Sequence, residues 1–156
     1  MSEELLSLLE KAIALAKKAH AGQIDKAGKP YINHPLRVMT ALEGLDEKIV
    51  GVLHDTIEDS DLTLADLDRF GFPDSIIQAI DSLSKRPQEN YDDYLTRVMG
   101  NPLALKVKIA DMTDNANLNR IANPTERDYQ RQAKYIKTLP KLRARLEAIG
   151  DRKSEN

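Results

Sequence analysis

The sequence predicts an all-α fold, a single domain built as an irregular, orthogonal helical bundle. Three observations carry this. Apolar residues recur at three- and four-residue spacing in one segment after another, the period of a helix with one buried face. Helix-start residues and glycine stops punctuate the chain at short intervals. No segment alternates apolar and polar residues as a half-buried strand would, and there is no internal repeat or low-complexity linker. Seven or eight helices are expected, and their short, varied connections favour orthogonal packing over a regular up-and-down bundle.

Leu5, Leu8, Leu9, Ala12, Ile13 and Ala16 form the apolar stripe of the first helix, which fades near His20. Gly22 and Gly28 then mark a polar loop, GQIDKAGKPY, and allow tight turns in it. Pro35 fits the first turn of a second helix, where its missing N–H is harmless, so His34 is expected immediately before that helix. Asp46 reads as the N-cap of a third helix running through IVGVLHDTIED. Thr63 and Asp66 form a capping arrangement for a short helix that stops near Gly71. Asp74 to Leu83 is the next helix, followed by the loop SKRPQEN. Asn90 with Asp93 starts another, and Asn101-Pro102 the one after, running to about Arg120. Asn123-Pro124, with Glu126 in the first turn, opens a long last helix toward Ile149. The domain is expected over residues 1–150, with 151–156 (DRKSEN) as a frayed tail.

Composition bounds the function. With 156 residues the chain is long enough for a proper core, and 41% hydrophobic against 31% charged residues is the balance of a globular protein. A net charge of -2 gives no global attraction to nucleic acid or anionic lipid, so any phosphate-binding patch must be local. The absence of cysteine excludes disulfides, thiol nucleophiles and Cys-type zinc sites. The first twenty residues mix Glu and Lys throughout, unlike a signal peptide. No apolar run approaches the roughly 20 residues that span a bilayer, and a cytoplasmic location is expected.

The most informative segment is IVGVLHDTIED, where an apolar run meets His54, Asp55, Glu58 and Asp59. On one helix, His54 and Glu58 are i,i+4 neighbours, as are Asp55 and Asp59. Three carboxylates near a core need compensation, and a divalent cation, bound by imidazole and carboxylate together, supplies it. An HD dipeptide alone arises by chance, and a capped core histidine with a solvated helix end explains it equally well. Two further segments change the balance. YINHPLRV fixes His34 beside Pro35, and LKVKIADMTDN runs apolar residues up to Asp111, with Asp114 and Asn115 one turn on. Two of the chain's three histidines thus stand where polar side chains meet the core.

The order His34, His54-Asp55, Asp111 resembles the HD superfamily of metal-dependent phosphohydrolases. More narrowly, AHAGQIDKAGKPYINHPLRV, VLHDTIED and KIADMTDN are similar to the hydrolase domain of RelA/SpoT-type alarmone enzymes and to small stand-alone alarmone hydrolases. The resemblance covers about residues 1 to 140. It implies an HD-type helical fold with one metal, commonly manganese, held by His34, His54, Asp55 and Asp111. It implies that Glu58 and Asp59 position or activate the attacking water, and that Asn115 and Tyr135 contact the nucleotide. It further implies hydrolysis of the 3′-pyrophosphate of guanosine tetra- or pentaphosphate, and at this length the hydrolytic part alone. The chain departs from the pattern at Ile24-Asp25-Lys26, where a basic pair is usual, and at Met112, where a lysine is usual.

Around this centre, Lys26 and Lys29 could meet phosphate as mobile point charges, or simply be solvated. Arg37 could clamp a phosphate or form a surface ion pair. Lys106 and Lys108 could steer an anion or balance the acidic site, with a solvated face as the plainer reading. His20 could line the pocket or close the first helix. Lys85, Arg86, Tyr91 and Tyr94 lie on the family's pocket side, the tyrosines able to stack on a base or to pack. KLRARLE reads as a helix surface, too mixed in charge for nucleic acid. Other nucleotides, such as a dinucleotide phosphate or a nucleoside monophosphate, are the alternative substrates. A catalytically silent nucleotide-binding sensor and a scaffold without a site are the non-enzymatic alternatives. Ile76, Ile77, Ile80 and the last helix offer apolar surface that could pair subunits into a homo-oligomer.

Overall fold

In a computed structural model, which describes residues 2–154, nine helical segments follow one another without a strand. The extended pairing among the described residues is a single bridge between Ile24 and Pro30, which closes the first loop on itself. Helix α1 (Ser2–Ala19) buries Ala12 and Ala16 and rests Leu5, Leu8, Leu9 and Ile13 against the core, as its stripe predicts. Helix α2 (Asn33–Ala41) starts before Pro35. His34 therefore lies inside its first turn rather than ahead of it, which Pro35 tolerates because first-turn N–H groups have no intrahelical partner.

Helix α3 (Leu45–Leu53) is capped at Gly44, whose N–H donates to Glu47 Oε2 at 2.9 Å. Asp46, expected as the cap, sits in the first turn. The helix does not run on through TIED. It stops at Leu53, and α4 (Thr56–Asp59) follows after a break at His54-Asp55. Side chains cause the break. Thr56 Oγ donates to the Leu53 carbonyl at 2.7 Å, and His54 Nδ1 to the Gly51 carbonyl at 2.6 Å, in competition with helix N–H groups.

Thr63 and Asp66 cap α5 (Leu64–Arg69) reciprocally, and Gly71, at φ 91°, reverses the chain after it. Helices α6 (Asp74–Leu83) and α7 (Tyr91–Met99) lie where expected, the latter capped by Asn90 onto the Asp93 N–H at 2.8 Å. Helix α8 (Pro102–Asn115) ends at Asn115 instead of near Arg120, and Asn117 turns the following loop by accepting from the Asn119 N–H at 2.9 Å. Helix α9 (Glu126–Ser154) passes Ile149 and continues through Ser154, into the segment expected to fray; residues 155 and 156 lie outside the described residues. No helix is long and apolar enough to cross a membrane among the described residues.

α3 and α8 form the centre. α3 packs on α1, α2, α6 and α8, while α8 also meets α2, α7 and α9. Their inner faces (Ile49, Val50, Val52 and Leu53 with Leu105, Val107 and Met112) are fully buried and almost wholly aliphatic. Ile76 and Ile80 belong to this core and Ile77 packs against it, so of the surface suggested for subunit pairing these three are used within the fold, while α9 leaves Ile136 exposed. The break after α3 and the last turns of α8 then present polar side chains to each other from a dry interior.

Candidate metal centre

His34, His54, Asp55 and Asp111 converge. One donor atom from each lies within 4.8 Å of every other. His34 Nε2 is 2.8 Å from Asp111 Oδ1 and 3.8 Å from Asp55 Oδ2. His54 Nε2 is 3.2 Å and 3.1 Å from the same two oxygens. Metal–ligand bonds of about 2.0–2.2 Å put the donors of one ion about 3–4 Å apart, so the cluster fits a cation by spacing and by donor type. Both histidines and Asp111 are at most 4% exposed.

Each ligand is held from behind. His54 Nδ1 is on the Gly51 carbonyl, and His34 Nδ1 is 2.7 Å from Asp114 Oδ2. Tyr31 donates its hydroxyl to Asp55 Oδ2 at 2.5 Å. Asp111 accepts Asn115 Nδ2 on Oδ1 at 3.1 Å and Lys108 Nζ on Oδ2 at 3.0 Å. Burial alone would lower both imidazole pKa values, but Asp111 and Asp114 at His34, and Asp55 and Asp111 at His54, raise them overall. Burial opposes ionisation of Asp111 too, yet Lys108 and His54 hold its carboxyl well below the usual range. The carboxylates of the cluster thus stay ionised, and the imidazoles beside them are drawn toward their charged form unless a cation takes that place.

Glu58 and Asp59 flank the cluster on α4. Glu58 Oε1 accepts the Lys85 N–H, and burial first, with Asp55 and Asp59 adding, raises its pKa. Asp59 is raised by burial and by Asp55 in the same way. Both therefore move toward the range in which a carboxylate accepts a proton near neutral pH.

A cavity of about 430 Å³ opens beside the cluster, lined in part by Tyr31, His34, Asn115 and Tyr135. Lys26, Arg37, Arg120 and Arg131 also line it. Asp114 bonds the Arg37 guanidinium at 2.9 and 3.1 Å, while Asp128 takes Arg131 at 2.7 Å and Lys26 at 3.9 Å. Of the expected substrate residues, Lys26, Asn115 and Tyr135 thus share one cavity. Lys29 does not; it is exposed on the first loop, outside the lining.

Several roles were not legible beforehand. Lys108 is not on a solvated face but pressed between Asp111 and the Tyr94 ring, 5.1 Å from its centroid. Tyr94 packs, its hydroxyl on the Leu83 carbonyl, and Tyr91 lies under Lys134. His20 is buried with Nδ1 on Gln23 Oε1 at 2.8 Å, and its Nε2 has no hydrogen-bond partner among the described residues. Arg120 and Arg131 carried no signal, because only the early end of α8 turns their loop and helix onto the cavity.

No protein-family model matches the chain. It is 29% identical over 154 residues to a probable GTP pyrophosphokinase of Mycobacterium leprae, covering 90% of this chain and 19% of that protein. It is 32% identical over 120 residues to a guanosine-3′,5′-bis(diphosphate) 3′-pyrophosphohydrolase of Aquifex aeolicus, covering 69% and 17% respectively. The chain thus spans less than a fifth of these relatives' length. Among solved structures, a metazoan ortholog of SpoT described as hydrolysing ppGpp superposes with a TM-score of 0.68, at 20% identity, over 94% of this chain and 95% of that one. The chain is therefore a relative of the RelA/SpoT-type alarmone proteins, matching one stretch of them, and its fold is the all-helical HD fold of that SpoT ortholog.

Proposed function

We propose that the chain is a metal-dependent phosphohydrolase of a phosphorylated nucleotide, acting as a guanosine 3′,5′-bis(diphosphate) 3′-pyrophosphohydrolase. The observation that carries this reading is the meeting of two imidazoles and two carboxylates within 4.8 Å in a buried setting. His34, His54, Asp55 and Asp111 would hold one divalent cation, with Mn²⁺ the candidate. When bound, such a cation polarises a phosphoryl oxygen and acidifies water.

The chain's own residues do the rest. Glu58 or Asp59, each with a raised pKa, takes the proton of the attacking water. Such acid–base assistance is typically worth about 10²- to 10⁴-fold. The water oxygen bonds to the phosphorus as the bond from that phosphorus to the ribose 3′ oxygen breaks, pyrophosphate leaves carrying the water oxygen, and the 3′ oxygen regains a proton. Lys26 reaches the cavity as a mobile cation for phosphate, while Asn115 and Tyr135 orient the nucleotide. The cavity volume suits a small ligand rather than a polymer.

The test is elemental analysis of gently purified protein, followed by a nucleotide panel with added Mn²⁺. Release of pyrophosphate from the alarmone supports the reading. Turnover of a different nucleotide reassigns the substrate, and nucleotide-induced stabilisation without turnover in metal-replete protein makes the chain a sensor.

A further inference from the structure

Asp114 takes no part in the reaction outlined above, yet it joins both halves of the site. One oxygen lies 2.7 Å from His34 Nδ1. The carboxylate also takes the Arg37 guanidinium in a bidentate grip and meets Arg120 at 3.3 Å. A neutral imidazole that offers Nε2 to a cation carries its proton on Nδ1 and must place it on an acceptor. At His54 that acceptor is a neutral peptide carbonyl, Gly51. At His34 it is a carboxylate, which makes the charge-assisted and stronger bond and a more basic ring. The two arginines hold that carboxylate in register and offset its charge, so it can stay ionised at a largely enclosed position.

We propose that Asp114 is a positioning residue: it fixes the tautomer and orientation of His34, and Arg37 and Arg120 anchor it there from the cavity wall. This rests on the metal reading above and adds a determinant of metal affinity that lies outside the ligand set.

The experiment titrates Mn²⁺ alone into the full chain and into two variants, with no nucleotide present. Asp114→Asn keeps the shape and removes the charge, and is expected to weaken Mn²⁺ binding about 10- to 100-fold. Asp128→Asn removes an equal charge from the same cavity without touching a ligand, and is expected to change affinity by less than about threefold, the share left to screened long-range charge. Equal affinity in Asp114→Asn and the unaltered chain overturns the proposal. So does an equal loss in both variants, since distant charge then accounts for it. Nitrogen NMR of the unaltered chain loaded with a diamagnetic divalent ion gives a readout independent of any variant's folding. A proton on His34 Nδ1 supports the assignment and one on Nε2 overturns it. If the unaltered chain binds no Mn²⁺, the metal reading itself falls, which separates that failure from the two above.

Discussion

Glu58 and Asp59 follow Asp55 on a single turn of helix, and partial burial first, with the neighbouring Asp55 carboxylate second, explains why both bind protons more readily than ordinary acids. Neither belongs to the four-residue donor cluster. Glu58→Gln and Asp59→Asn are therefore expected to bind Mn²⁺ like the unaltered chain, while the base among them loses about 10²- to 10⁴-fold in turnover. Metal titration beside steady-state rates separates the two effects, and full activity in both variants removes the pair from the mechanism. The donors themselves could be read from sequence because histidine is scarce here, His54-Asp55 and Asp111 end apolar runs, His34 stands beside Pro35, and their order resembles that of a known family. Their supports could not. Tyr31 is 24 residues from Asp55, and Asp114 is 80 from His34, so the first pairing exists only once the first loop meets the α3–α4 break, and the second only once α2 and α8 are packed. For Lys108, balancing the acidic site is one of the readings open in the sequence, and its pairing with Asp111 bears that one out. Its burial was hidden, because it depends on a tyrosine from α7.

At the scale of elements, caps and periodicity located most helices, because those signals are local. The errors fell where side chains compete with the backbone, at the His54-Asp55 break and at the end of α8. Gly51 shows how tightly α3 is set against α2. A Cβ added there would stand 2.8 Å from Leu42 Cδ1 and 3.5 Å from the Met39 Cα. An alanine can displace a side-chain tip, and gains about 1 kcal/mol of helix propensity in return. A valine meets Val38 and the α2 backbone as well, and Gly51→Val is expected to destabilise by about 1–3 kcal/mol in denaturant unfolding. Stability unchanged in Gly51→Val would mean that the α2–α3 contact is loose.

The loop over residues 84–90 is clamped differently. Arg97 holds Glu89 at 2.6 and 2.8 Å and also donates to the carbonyls of Asp81 and Ser84. The same loop presents the Lys85 N–H to Glu58. The bonds from Arg97 lower the Glu89 pKa to about 2, below the roughly 4.3 of a free glutamate. With the folded value depressed, this contribution is complete above the unfolded pKa and is lost as pH falls toward the folded one. Denaturation midpoints of the unaltered chain should thus fall between about pH 5 and pH 2 more steeply than those of Glu89→Gln. Parallel curves would show that the clamp contributes nothing.

Across the whole molecule, the donor cluster brings together parts of the chain that are distant in sequence: α2, the α3–α4 break and α8, with His34 and Asp111 77 residues apart. Without an ion, the Asp55 and Asp111 carboxylates are offset by the two imidazoles and Lys108 and by hydrogen bonds from Tyr31 and Asn115. An ion that binds the folded state alone stabilises it by about 2.7 kcal/mol at a hundred times its dissociation constant. For a chain of this size, that corresponds to a rise in Tm of about 5–10 °C. Thermal unfolding with chelator and then with excess Mn²⁺ should show that rise. Asp111→Ala should abolish it, because it removes the oxygen on which both imidazoles converge. Lys29→Ala should leave it intact, since that side chain stands apart from the cluster. Melting that is the same with chelator and with Mn²⁺ would mean that the four side chains meet for another reason, with burial of a hydrogen-bonded polar knot as their whole purpose.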